Sequence, residues 1–194
     1  MGARQAAWAR RCTYWLEPKN WLIATVILIG WHADGLAGVG WGLVAALFAA
    51  VLPTLFISYG IRQGRWSDRN VGARRPRLIV LGFITASVAA GLILLAVLGA
   101  PRLLTGYLAF MLASVAVLAL ITTVWKISIH CAVASGSVAI LALMYGPLVL
   151  CGYVLVALLG WSRVALGDHT VAQVVAGSVL GAAAAVLAYA ALAR

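Results

Sequence analysis

The sequence predicts an all-α fold, a polytopic bundle of six or seven transmembrane helices, from three observations. Hydrophobic residues make up 65% of the 194 positions and charged residues only 9%, whereas soluble domains carry about 25% charged residues. The apolar residues fall into runs close to the roughly 20 positions that a helix needs to cross the hydrocarbon. No polar stretch is long enough for a soluble domain. We therefore expect one integral membrane domain over residues 1–194.

The first two apolar runs are predicted to form a hairpin behind a basic N-terminal tail, residues 1–14. They cover about residues 15–31 and 41–61, and the sequence His-Ala-Asp-Gly at 32–35 predicts a turn at the membrane interface between them. The next segment, residues 62–77, holds six arginines. Because it is too charged for hydrocarbon, we expect an exposed loop or a helix at headgroup level.

The rest of the chain is predicted to form two further hairpins and a closing helix. Residues 78–125 hold two runs with a glycine-proline turn between them, and residues 126–161 hold two shorter runs around a second such turn. The last run covers about residues 170–193. Its Gly177 and Gly181 form a small-xxx-small pattern, which predicts close packing against another helix.

The composition also limits the partners. A formal charge of +10 would suggest nucleic acid for a soluble protein, but this chain has no predicted soluble surface for a duplex. The cations are better explained by membrane topology, lipid headgroups or an anionic substrate. The three cysteines are widely spaced and lack histidines at zinc spacing, so neither a disulfide framework nor a metal site is expected. The eight tryptophans, mostly near predicted span ends, are expected to form interfacial belts.

Counting predicted spans brings three polar loops to one face of the membrane. Even numbers of spans separate the segments 62–77, 126–130 and 162–169, which hold most of the cations and two of the three histidines. Arginine forks bind phosphoryl oxygens, one imidazole can attack phosphorus, and another can protonate the leaving oxygen. This combination indicates a site for a phosphate ester, and no carboxylate cluster indicates a metal or other cofactor.

Three segments carry the spacings of a known motif set. Residues 162–169 fit the pattern S-R-x5-H, residues 128–130 (Ser-Ile-His) are similar to P-S-G-H, and Arg75-Pro76 with Arg69 upstream is similar to K-x6-R-P. In this order, these segments resemble the motifs of the type 2 phosphatidic acid phosphatase (PAP2) family over roughly residues 60–181. The resemblance implies a PAP2-like core.

The resemblance also implies a role for each matching residue. His169 would be the nucleophile that forms a phosphohistidine, and His130 would be the general acid. Arg163 and Arg75 would bind the phosphoryl oxygens, with hydrogen bonds from Ser128 and Ser162.

The sequence departs from the family pattern at several positions. Asp68 stands where the first motif has lysine, so that charge would come from Arg69 or Lys126. Ile127 and Ile129 replace the proline and glycine of the second motif. Gln173 replaces a carboxylate one helical turn after the third-motif histidine, and its amide oxygen is expected to orient the imidazole.

One expectation for this segment is independent of the family. Asp168 is predicted to be the N-cap of the last helix, which would place His169 in that helix's first turn, where the positive end of the dipole favours phosphate.

The expected function is metal-independent hydrolysis of a membrane lipid phosphate or diphosphate. A polyprenyl (di)phosphate is preferred, because no extramembrane module is present to recognise a large headgroup. The alternatives are a phosphotransferase of the same fold and a non-catalytic protein that binds or transports lipid phosphates, which Asp68 and Gln173 favour. Paired aspartate-rich motifs, which a prenyltransferase needs, are missing. The oligomeric state stays open.

Charge predicts the orientation in the cell membrane. Two predicted spans separate the N-terminal arginines from the arginine-rich segment 62–77, so both lie on one side. The positive-inside rule places that side, and with it the expected active site, in the cytoplasm.

Overall fold

The structure, a computed structural model, describes residues 2–66 and 74–192, and the regular elements in these ranges are all helices. The prediction of an all-α protein is confirmed for these residues. The elements are α1 (Ala3–Trp15), α2 (Pro18–Ala46), a π-helix (Leu47–Val51), α3 (Leu52–Arg62), α4 (Arg74–Val97), α5 (Arg102–Val124), α6 (Ile129–Tyr145), a 3-10 helix (Pro147–Gly152), α7 (Tyr153–Ala165) and α8 (Val171–Leu192).

Five apolar helical stretches in the described ranges are long enough to cross a membrane. The first, Ala3–Arg62, contains the break in α2 described below. Helix α6, with 17 residues, is shorter and is not one of the five. The five stretches are consistent with a multi-pass membrane protein, and the count of six or seven spans stays a prediction. The other four stretches are Arg75–Val97, Arg102–Val124, Pro147–Ala165 and Val171–Leu192.

The chain forms two compact units. The first unit combines Met1–Trp21 with Lys126–Arg194, and the second is Leu22–Trp125. Every residue of the expected site except those of the segment 62–77 belongs to the first unit.

In the second unit, α2 folds back on itself where the sequence predicts a turn. Asp34 and Gly35 leave the helical conformation, and Gly35 has a φ of 55°, which glycine adopts without strain. A Cβ on Gly38 would lie 1.8 Å from the carbonyl oxygen of Gly30, so the two arms touch through their backbones. This confirms the predicted hairpin.

Trp66 is buried within the second unit, where it packs against α3 and α4. Its indole lies against Gly60, where an added Cβ would be 1.8 Å from the ring, and its Nε1 donates to the carbonyl of Ile57 at 3.0 Å. Trp66 packs with Val80 in a buried cluster. The side chain therefore turns back onto α3, and its expected position at the membrane interface stays a prediction.

In the first unit, α6 and α8 cross at backbone contact. A Cβ on Gly177 would lie 2.4 Å from the carbonyl oxygen of Ser128, and one on Gly181 would lie 1.9 Å from that of Ala132. Gly136 continues the same face of α6 and meets Gly181. The predicted small-xxx-small packing is confirmed, and it fixes the N-terminal ends of α6 and α8 beside each other.

Helices α1 and α7 complete the first unit. The N-terminal segment expected as a basic tail forms α1, which packs on α7. A buried apolar cluster from α6 and α7 holds the unit together, with Leu16 and Trp21 packed against it. The cluster consists of Cys131, Ala134, Val138, Val156 and Leu159.

Candidate active site

The link between α7 and α8 begins with a Schellman motif. Gly167 has a φ of 73°, and its amide donates to the carbonyl of Val164 at 3.0 Å. The amides of Asp168 and His169 both donate to the carbonyl of Arg163, at 3.0 and 3.2 Å. Glycine adopts this left-handed conformation without strain. Gly167 therefore allows the chain to turn so that His169 lies next to the C-terminal end of α7, at Arg163.

The link ends in a capping box at the start of α8. The Thr170 hydroxyl accepts from the amide of Gln173 at 3.3 Å, and the Gln173 side-chain oxygen accepts from the amide of Thr170 at 3.1 Å. Thr170 is therefore the N-cap, and the prediction of Asp168 in that role is wrong. His169 precedes the N-cap and does not lie in the first turn of α8.

Gln173 also fixes the imidazole of His169. Its Oε1 lies 3.2 Å from His169 Nδ1, and the same oxygen accepts from the amide of Thr170, which can only donate. The amide orientation of Gln173 is thereby set, so Nδ1 must carry the proton in this contact. In neutral His169, the lone pair then lies on Nε2.

Arg163 lies beside this loop with its charge partly compensated. Its side chain is only 1% exposed, and Nη1 lies 3.1 Å from Oδ2 of Asp168. A buried guanidinium is costly unless it is paired, so Asp168 stabilises the position of Arg163. The Schellman turn brings the two residues together, since Asp168 is the residue whose amide returns to Arg163.

The start of α6 meets the first turn of α8. The amide of Ser128 donates to the carbonyl of Gln173 at 3.2 Å, and the Ser128 hydroxyl caps α6 by accepting from the amide of Cys131 at 3.5 Å. His130 lies in the first turn of α6, and Lys126 lies just before that helix; both are partly exposed. The contact therefore places the His130 end of α6 against the turn that holds Gln173, whose side chain contacts His169.

Ser162 ties α7 to α1. Its hydroxyl is fully buried, donates to the carbonyl of Leu159 at 2.7 Å and lies 3.0 Å from the Thr13 hydroxyl. Because the single Ser162 proton is used by Leu159, Thr13 is the donor in the second bond. One turn before Arg163, Gly160 lets α7 approach Val174 of α8, where an added Cβ would be 2.7 Å from that side chain.

An apolar groove leads away from the site between α7 and α8. It has a volume of about 430 Å³ and runs from Val164 and Val171, which flank the loop of His169, to Tyr153 and Val179. The α7 side spans about 16 Å at the helical rise of 1.5 Å per residue. Among its lining residues, only Ser178, Tyr153 and Trp161 have a polar side-chain group.

Eight of the predicted site residues belong to the first unit. Arg75 is an exposed residue of α4 in the second unit, and its role stays a prediction. Arg69, like Asp68, lies outside the described residues. Over residues 2–66 and 74–192, no three His, Cys, Asp or Glu side chains are grouped so that they could hold a metal ion. The predicted residues gathered in this unit are Lys126, Ser128, His130, Ser162, Arg163, Asp168, His169 and Gln173.

Two positions of the site were missing from the sequence-based prediction. Thr170 had a readable signal, since Thr-x-x-Gln before an apolar run is the pattern of a capping box. Thr13 had none, because its partner Ser162 is 149 positions away.

The comparisons with known proteins add no assignment. The chain matches no described protein family, and it has no significant match among curated proteins or solved structures.

Proposed function

We propose that this protein is a metal-independent phosphohydrolase of membrane lipid phosphates or diphosphates, with polyprenyl (di)phosphate as the preferred substrate class. The observation that carries the proposal is the contact of His169 Nδ1 with Gln173 Oε1, which assigns the proton to Nδ1 and the lone pair of the neutral ring to Nε2, the proposed nucleophilic atom. A buried arginine, Arg163, lies beside this loop.

The proposed reaction has two steps. Nε2 of His169 attacks phosphorus, the bond from phosphorus to the lipid oxygen breaks, and His130 gives its proton to that oxygen. Water then attacks the phosphohistidine and loses its proton to the now neutral His130, which releases inorganic phosphate and restores both histidines. Arg163 stabilises the phosphoryl charge in both steps.

The groove between α7 and α8 supports a substrate with an apolar tail. The end of the groove at Val164 and Val171 borders the loop of His169, and its walls are formed by apolar side chains such as Val175. A lipid tail in this groove would hold its phosphate at the membrane surface. His130, Arg163 and His169 all lie at or next to helix ends, where that phosphate would be.

Several predicted site residues act in this proposal by positioning others. Ser128 caps the helix of His130, Ser162 fixes the turn before Arg163, and Gln173 orients His169. The hydroxyls of Ser128 and Ser162 are fully buried in these contacts. In this proposal the two serines position His130 and Arg163, whereas the family resemblance implies that they contact the phosphate directly.

The test is phosphate release from purified prenyl and glycerolipid phosphates with EDTA present. The wild type and a His32→Ala control, which removes the histidine of the α2 turn, are expected to release phosphate. His169→Ala is expected to lose all turnover while it elutes as folded protein, because no other residue replaces the nucleophile. If His169→Ala keeps more than a few per cent of the wild-type rate, the assignment is wrong. Phosphate transfer to a lipid alcohol without release would indicate a transferase.

A further inference from the structure

The N-terminal helix α1 presents two distinct faces. Ala9 and Thr13 are buried against the rest of the first unit, where Thr13 bonds to Ser162 of α7. Arg4, Trp8, Arg11 and Trp15 are all exposed. Their spacing of four, three and four positions places them in one stripe along the helix. The outer stripe thus alternates arginine and tryptophan.

The exposed face is rich in cations and interfacial aromatic side chains. The side chains of Trp8 and Trp15 are 63% and 71% exposed, and the guanidinium of Arg11 lies 5.8 Å from the ring centroid of Trp8. Arg10 and Tyr14 extend the face on its flank. The helix holds three arginines and no acidic residue. Exposed tryptophan next to arginine is the composition of surfaces that lie at lipid headgroups.

The position of α1 in the chain indicates its depth in the bilayer. Only Leu16 and Glu17 separate it from α2, which begins at Pro18 and continues as an apolar helix. Glu17 lies outside α1 and is paired with Lys19 at 2.9 Å. Three arginines keep α1 out of the hydrocarbon, and the start of α2 keeps it at the membrane surface.

We propose that the exposed face of α1 is a binding site for the headgroups of anionic phospholipids. Arg4, Arg10 and Arg11 bind the headgroup phosphates, and Trp8 and Trp15 insert between the headgroups. A topology signal alone requires only positive charge. Here the arginines share a face with exposed tryptophans, and the opposite face is fastened to α7 by the Thr13–Ser162 hydrogen bond.

The test measures lipid retention on the full chain. The purified protein is exchanged into a detergent mixture that contains phosphatidylglycerol and phosphatidylcholine with the same acyl chains, and bound lipids are counted by native mass spectrometry. The wild type is expected to retain phosphatidylglycerol selectively. Each arginine near an anionic surface strengthens binding by about fivefold, so Arg4→Gln/Arg10→Gln/Arg11→Gln is expected to weaken phosphatidylglycerol binding on the order of a hundredfold.

A matched control removes three exposed arginines elsewhere. Arg62→Gln/Arg65→Gln/Arg102→Gln changes the net charge by the same amount and leaves α1 intact. It is expected to retain phosphatidylglycerol at close to the wild-type level. Equal retention by the α1 variant and the wild type would overturn the proposal. An equal loss in both triple variants would also overturn it, since net charge and not α1 would then hold the lipid. The readout does not depend on phosphatase activity.

Discussion

The side-chain oxygen of Gln173 contacts Nδ1 of His169 at 3.2 Å while it also accepts from the amide of Thr170 at 3.1 Å. One oxygen therefore caps α8 and selects the tautomer of the histidine. In most triads a carboxylate orients the histidine. A neutral amide orients the ring as well, but it adds less stabilisation to an imidazolium.

This double contact predicts different outcomes for two substitutions of Gln173. Gln173→Glu retains an acceptor for both Thr170 and His169 and adds a charge, so phosphate release is expected to stay level or rise. Gln173→Leu has a similar size but no acceptor, and it is expected to lose about 1 kcal/mol of stability with the cap and at least about tenfold in rate. The measurements are thermal unfolding in detergent and phosphate release. Wild-type turnover in Gln173→Leu would refute the orienting role.

A second prediction concerns the leaving group. His130 is proposed to protonate the departing oxygen, and a general acid matters most when that oxygen is a poor leaving group. His130→Ala is expected to lose far more activity on an alkyl phosphate than on a nitrophenyl phosphate, and to accumulate phosphoenzyme if water attack is also slowed. Comparing both substrates on the same preparation tests this role. An equal loss on both would exclude it.

The crossing of α6 and α8 yields a third prediction. An alanine Cβ at position 181 would lie 1.9 Å from the carbonyl oxygen of Ala132, so Gly181→Ala must push the helices apart. We expect a destabilisation of about 1–3 kcal/mol, together with a loss of phosphate release because the two helices carry the site. Gly82→Ala in α4 is the control, since no atom lies within 4 Å of its added Cβ. Equal unfolding midpoints for both variants would contradict the close packing.

The fourth prediction concerns the side of the membrane. A single cysteine at Gln63, with Cys12, Cys131 and Cys151 replaced by alanine, is expected to resist a membrane-impermeant maleimide in intact cells and to react after permeabilisation. Gln63 is exposed with a φ of −84°, whereas the neighbouring Gly64 has a φ of 67° that cysteine would adopt only with strain. Labelling of position 63 from outside would place the arginine-rich segment on the exterior.

Sequence patterns predicted those parts of the fold that depend on neighbouring residues. Apolar runs predicted the helices, the polar turn at Asp34-Gly35 predicted the hairpin, and the spacing of Gly177 and Gly181 predicted their packing face. Each of these signals is local, because a helix, a turn or a small-residue face is specified within a few positions.

The errors arose where tertiary contacts decide the outcome. Asp168 is a good N-cap residue by type, but its carboxylate is bound to Arg163, and Thr170 with Gln173 caps α8 instead. The packing of the Trp66 ring over Gly60 is likewise a tertiary contact that the sequence does not reveal.

The pairing of Arg163 with Asp168 also bears on how the protein enters the membrane. An arginine near the end of an apolar helix opposes insertion, since a bare guanidinium is expensive in the bilayer. Its counterion lies only five positions further on and is brought back by the turn at Gly167. Both members of the pair therefore lie in one short stretch of chain that precedes α8. The segment carries its own counterion, so the compensation of this charge does not require a residue from a later helix.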